Sequence, residues 1–155
     1  MTTIHLHKTT TATPEQVLAG LTDFGPGREE IFGRSADSYL KVHQQGPPHD
    51  ADVTEGSSGI WERLHYDWTD PRRVVMTTTD SNLWGRGVEP YLHADPATDG
   101  SDRCRRVVVR DGKNLKGKLL ASVLGLVGTQ VLGKSFTKSI DAIEARNGGA
   151  GGGNP

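Results

Sequence analysis

A chain of 155 residues has room for one domain with a real core and is short for two. Its 18 basic and 19 acidic residues, a formal charge of -1, are mixed along the chain, so no net field draws it to nucleic acid or to an anionic membrane. The basic cluster Arg103, Arg105 and Arg106 reads as the solvated side of a strand, and the single cysteine, Cys104, excludes an internal disulfide or a thiolate metal cage and fits a reducing, cytoplasmic setting.

The first residues, MTTIHLHKTT, alternate apolar and polar, the period of a half-buried strand over 3–11, and lack the pattern of a secretory signal. Thr13, Pro14 and Gln16 supply an N-cap, a proline at the first helical position and the partner of a capping box, which predicts a helix over 14–23 that Gly25-Pro26-Gly27 stops. REEIF predicts a second short helix before Gly33. From Tyr39 to Asp111 six strands follow, YLKVHQQ, ADVTEG, IWERLHYDW, RRVVMTTTD, a stretch around GVEPYLH, and RCRRVVVRD. Turn-forming clusters such as GPPHD, GSSG and TDP separate them, with no room for crossover helices. After Asn114 the pattern is helical to about Arg146, and the glycine-rich residues 147–155 are expected to form a flexible tail. The apolar run LLASVLGLVGTQVLG is shorter than the roughly 20 residues that span a bilayer, so no stable membrane insertion is expected.

This order, with "TPEQV" opening the first helix, "WERLHYDWTDPRRV" as paired strands and "VVVRDGKNLKGKLL" leading into the long helix, resembles the START-like or SRPBCC superfamily, most closely its polyketide cyclase/dehydrase and lipid-transport group. The resemblance covers residues 3–146. It implies an α+β helix-grip fold: a curved antiparallel sheet of about seven strands wrapped around a long C-terminal helix, with two short helices after the first strand. It also implies a cavity between sheet and helix for an apolar or amphipathic molecule.

Period two assigns the wall of that cavity. Ile60, Glu62, Leu64, Tyr66 and Trp68 share one strand face, apolar at four of five places, which should point inward and makes Glu62 its odd member. The same count turns Ile4, Leu6, Leu40, Val42, Val74, Met76, Val107 and Val109 inward, with Thr78 and Asp80 continuing the Met76 face. Pro90 interrupts the count near Trp84 and Tyr91, which are assigned to the wall, and Tyr66, Trp68 and Trp84 are read either as rings that stack on a planar ligand or as core residues. The long helix is apolar nearly all round in its first half, and Leu120, Val123, Leu124 and Val127 are assigned to the cavity. Its later stripe, Leu132, Phe136, Ile140 and Ile143, lies on nearly the opposite side. Either the helix bends near Gly125, Gly128 or Gly133, the favoured reading and one consistent with a monomer, or its first half is buried in a homodimer.

Carboxyl groups on an apolar wall suit acid/base work, so Glu62 and Asp80 are the catalytic candidates; the alternative pairs Glu62 with Arg63, Arg72 or Arg73 at the sheet surface. His5 and His7 share a strand face without a third ligand, which predicts solvated or cross-strand-paired histidines and no metal site, and no motif calls for a cofactor. Three functions compete: binding and carriage of a hydrophobic small molecule such as a lipid or polyketide, a polyketide-type cyclase or dehydratase using the same cavity, and a partner-contacting protein with no ligand.

Overall fold

A computed structural model describes residues 2–25, 28–32, 40–46, 49–57, 59–94 and 102–151, leaving aside the side chains of 29–30, 57, 89–94, 102–103, 110 and 148–151. In chain order the elements are β1 (Thr2–Thr10), α1 (Pro14–Leu21), α2 (Arg28–Phe32), β2 (Lys41–Gly46), β3 (Asp50–Ser57), β4 (Ile60–Asp67), β5 (Arg73–Ser81), β6 (Val88–Ala94), β7 (Asp102–Arg110) and α3 (Leu115–Gly151). The strands form one antiparallel sheet in the order β1-β7-β6-β5-β4-β3-β2. Strands β2 to β7 pair with their chain neighbours, as short turns dictate, and β1 closes the meander by pairing with β7.

The capping box of α1 forms as its residues require: Gln16 N donates to Thr13 Oγ1 at 3.2 Å and Thr13 N to Gln16 Oε1 at 2.9 Å. Leu21 ends the helix, and the expected next two residues, Thr22 and Asp23, already lie outside it.

Helix α3 lies closest to β1, α2 and α1. Gly128 favours this: a Cβ there would run into Ile4 Cδ1, and the tip of that side chain would have to swing aside for the helix to stay so near the edge strand. Thr2 Oγ1 donates to Ala121 O at 3.0 Å, Thr10 Oγ1 to Glu144 Oε1 at 2.6 Å, and Lys8 Nζ stands 3.1 Å from Asp141 Oδ1, tying both ends of β1 to the helix.

Among the described residues the core resolves into two apolar clusters. The larger joins Ile4, Leu6, Val53, Leu64, Tyr66, Met76, Val108, Phe136, Ile140 and Ile143 with Val17, Leu21, Phe24 and Ile31 from the α1–α2 segment. The smaller consists of Leu83, Trp84 and Ala121, with Ile60, Leu120 and Leu124 packed against it.

Five expectations change. Strand β7 turns Cys104 and Val108 inward, fully buried, and leaves Val107 and Val109 only half-buried, because Leu6 and Ile4 of the inner face pair with Arg106 and Val108. Arg106 therefore belongs to the inner face rather than to the solvated side, while Arg105 is exposed. Val42 is exposed: β2 is an edge strand whose register slips between Val42 and Gln44, so it has no continuous inward face. The first half of α3 is not buried by a bend. The helix is unbroken, and Leu115, Leu119 and Leu126 stand 85, 68 and 87% exposed on the side away from the sheet. Finally, residues 147–151, expected in a flexible tail, continue α3, as Asn147 Nδ2 donates to Ile143 O at 2.8 Å and no proline intervenes.

Candidate functional site

Strand β4 places its residues as period two requires: Glu62, Leu64 and Tyr66 are buried on the inner face, and Arg63 turns outward to pair with Asp52 at 3.3 Å. Glu62 is thus an inward carboxylate, 9% exposed. Thr78 Oγ1 donates to Glu62 Oε2 across 3.5 Å, and Leu64, Met76 and Ser81 are buried around them. Glu62 and Thr78 belong to neither apolar cluster, while Ile60 on one side of Glu62 packs in the smaller and Leu64 on the other in the larger.

Asp80 is not part of this group. The β4–β5 ladder slips between Arg63 and Leu64, so that Leu64 faces Thr78, Arg63 faces Asp80 and Glu62 faces Ser81. The extra residue reverses the alternation after Thr78. Thr79 and Asp80 are exposed, and Asp80 Oδ1 accepts from Ser81 N at 2.8 Å and lies 3.5 Å from Lys113 Nζ. Ser81 takes the inward place and works locally, its Oγ donating to Trp61 O at 2.8 Å and accepting from Leu83 N and Trp84 N at 3.1 Å.

Deeper on the same face is a charged cluster that the period count did not raise. The Arg28 side chain is 1% exposed; Nη1 donates to Leu21 O at 3.0 Å and Asp23 O at 2.8 Å, and Nη2 to Glu55 Oε1 at 2.8 Å and the Tyr66 hydroxyl at 3.0 Å. Its guanidinium carbon sits 4.5 and 4.4 Å from the ring centroids of Phe24 and Phe32, so the cation is sandwiched by π-faces as well as hydrogen-bonded. Tyr66 donates to the same Glu55 oxygen. Glu55 pairs in register with Glu62 across β3 and β4, so two carboxylates occupy neighbouring inward places. Glu55 could have been found by extending the alternation of Ala51 and Val53; Arg28, first residue of a five-residue helix, had no periodic signal.

The remaining wall candidates separate by burial. Leu64, Tyr66, Met76, Thr78 and Trp84 are buried, the last in the smaller cluster, where its backbone also bridges Gly112. Leu40 and Trp68 are half-buried against the larger cluster, and Leu120 and Leu124 against the smaller. Val123 and Val127 are 45 and 43% exposed, because α3 turns Ala121, Leu124 and Gly128 toward the fold instead. Tyr91 pairs in register with Val74 and Arg106, but its side chain lies outside the described residues. Burial pushes the Cys104 thiol up to about 12, which removes it as a nucleophile near neutral pH. Among the described residues no group of three or more metal-ligating side chains occurs.

On the other side of α3, an open cleft of about 700 Å³ runs between the helix and β1, with Leu6, Gly133 and Phe136 among its lining and His5, His7, Lys134 and Lys138 supplying its cationic or titratable groups.

Compared with solved structures, the chain is similar along almost its whole length to an aromatase/cyclase, Zhui from Streptomyces sp. R1128, at 15% identity and a TM-score of 0.66 over 97% of this chain and 98% of that one. It is similar also to a START superfamily protein from Mycobacterium smegmatis, at 10% identity and a TM-score of 0.62 over 90 and 97%. This is the START-like helix-grip fold. The di-domain ARO/CYC StfQ of the steffimycin biosynthetic pathway shares it at 13% identity and a TM-score of 0.63, with 96% of this chain matching 51% of StfQ. No family model and no curated protein matches the sequence. At these identities the likeness is one of fold, and a helix-grip fold by itself selects no ligand.

Proposed function

We propose that residues 1–146 bind an apolar or amphipathic small molecule on the inner face of the sheet, between the two apolar clusters and against Glu62 and Thr78. The observation that carries this reading is a buried carboxylate and hydroxyl, Glu62 and Thr78, set among apolar side chains on the inner face. A main core with a small satellite cluster is ordinary in a domain of this size, but here that carboxylate and hydroxyl lie beside both clusters. A few polar groups in an apolar setting are what a small-molecule site uses to orient its ligand. Leu64, Tyr66 and Met76 form one apolar wall and Trp84, Leu120 and Leu124 the other. Polyketide-like fused rings and fatty acids are the ligand classes that suit a long apolar body with one polar end. The reading needs no metal or cofactor.

A second reading, a cyclase or dehydratase, is favoured by the inward placement of Glu62, the kind of group that moves a proton to or from a bound carbonyl compound. The aromatase/cyclases among the structural neighbours point the same way. Dye displacement by fatty acids and fused aromatics tests binding. Glu62→Gln separates the readings: retained affinity with lost turnover of a polyketide mimic supports catalysis, whereas a variant that turns over normally removes it.

A further inference from the structure

The outer face of α3 has no place in either reading. Leu115, Leu119, Val123, Leu126, Val127 and Val131, spaced by three or four residues apart from one adjacent pair, are all exposed. By the rise of an α-helix they run for roughly 24 Å. By length and composition Leu115–Asn147 could cross a bilayer, and only 17% of its most apolar window is buried. Yet Phe136, Ile140 and Ile143 are committed to the core, so the helix in this fold can lie on a membrane but not thread it.

Charge decides what covers the face. Between Asp111 and Asp141 the chain carries five lysines and no acid. Lys116 and Lys118 are exposed at one end of the apolar stripe, and Lys134 and Lys138 are exposed at the other. A second copy pairing antiparallel about Gly125 would set Lys116 of each chain opposite Lys134 of its mate, and a parallel pair would set each lysine beside its own copy. Both arrangements bring like charges together across an apolar seam. An anionic lipid surface meets both needs: phosphates take the lysines, and the acyl boundary takes the leucines. Long lysine side chains reach upward from such a helix while their stems add apolar contact. The cleft beyond Gln130, bounded by Lys134, Lys138, His5 and His7, continues the same side of the helix and adds polar donors at headgroup level.

We propose that the first half of α3, Leu115 to Val131 with its flanking lysines, is a peripheral docking surface for anionic lipid bilayers. The site is independent of what the inner face binds.

The test is flotation of the full chain with vesicles containing phosphatidylglycerol and, separately, with pure phosphatidylcholine vesicles. The protein should float with the anionic vesicles, less so at high salt, and remain in the soluble fraction with the neutral ones. Leu119→Glu and Leu126→Glu alter exposed positions and should leave the circular dichroism unchanged while lowering partition roughly tenfold each. Lys134→Glu with Lys138→Glu should lower it further in low salt. Absence of binding to anionic vesicles, or binding that survives both leucine substitutions, would overturn the proposal. So would sedimentation as a dimer that Leu126→Glu dissociates, since a second copy would then be the occupant.

Discussion

The Tyr66 hydroxyl donates to Glu55 Oε1 at 2.6 Å, and Arg28 Nη2 reaches both of them. This buried triad joins the α1–α2 segment to the centre of the sheet. Removing the carboxylate leaves the Arg28 charge buried without its counter-ion, so Glu55→Ala should cost about 3–5 kcal/mol in urea unfolding. Tyr66→Phe, which deletes one hydroxyl and keeps the ring against Phe24, should cost about 1–2 kcal/mol. Replacing Arg28 and Glu55 together by methionine should cost much less than the sum of the two single changes, because no charge is then stranded.

Asp23 and Arg146 pair at 2.7 Å and link the end of α1 to α3. The hydrogen bond from Arg146, then that from Gly25 N, holds the Asp23 carboxyl below its ordinary 3.8. A depressed carboxylate stabilises the fold above its unfolded value, and that contribution fades as pH falls through the lower folded value. Arg146→Ala should therefore cost at most about 1 kcal/mol at pH 7, both side chains being partly exposed. The difference should vanish as the pH is lowered well below 3.8, as acid titrations of thermal stability will show.

Gly117 and Gly125 both lie in α3, where alanine ordinarily stabilises by about 0.5–1 kcal/mol. At Gly125 the nearest atom to an added Cβ is Thr2 Cγ2 at 3.7 Å, an ordinary contact, and Gly125→Ala should raise the melting temperature. At Gly117 the Cβ would strike the carbonyl oxygen of Leu83, whose segment is stitched to the helix entry by Lys113 N donating to Leu83 O at 3.0 Å. Backbone cannot give way as a side-chain tip can, so Gly117→Ala should lower it. Thermal melts of the two variants should move in opposite directions.

Cys104 is fully buried and its thiol is pushed up to about 12. An aromatic disulfide reagent at pH 8 should react only as fast as the protein unfolds and at the full rate in denaturant. Rapid modification of the folded chain would place the thiol at the surface.

The sequence was most legible where a local rule acts alone. Thr13, Pro14 and Gln16 marked the start of α1, and the alternation in IWERLHYD placed Glu62, Leu64 and Tyr66 inward. Alternation failed where pairing intervened. The bulge opposite Arg63 and Leu64 turned Asp80 out after Thr78, and the slip in β2 left Val42 exposed, because both are properties of two strands and neither is written in one. The same limit hid the Glu55–Arg28 contact, made between residues 27 positions apart. In α3 the apolar pattern is real, but it does not demand burial within the chain: the first half of the helix carries Leu119 and Leu126 on the outside.

The central claim, a ligand held on the inner face beside Glu62, has a direct probe. The chain contains two methionines, Met1 and Met76, and Met76 is buried on that face next to Thr78. With carbon-13 in the methionine methyl groups, the protein should give two signals in a carbon–proton correlation spectrum. Titration with a fatty acid or a naphthalene carboxylate should move the Met76 signal saturably and leave that of Met1 in place. A Met76 signal that stays fixed across the ligand panel, or while a ligand demonstrably binds elsewhere, would contradict the claim.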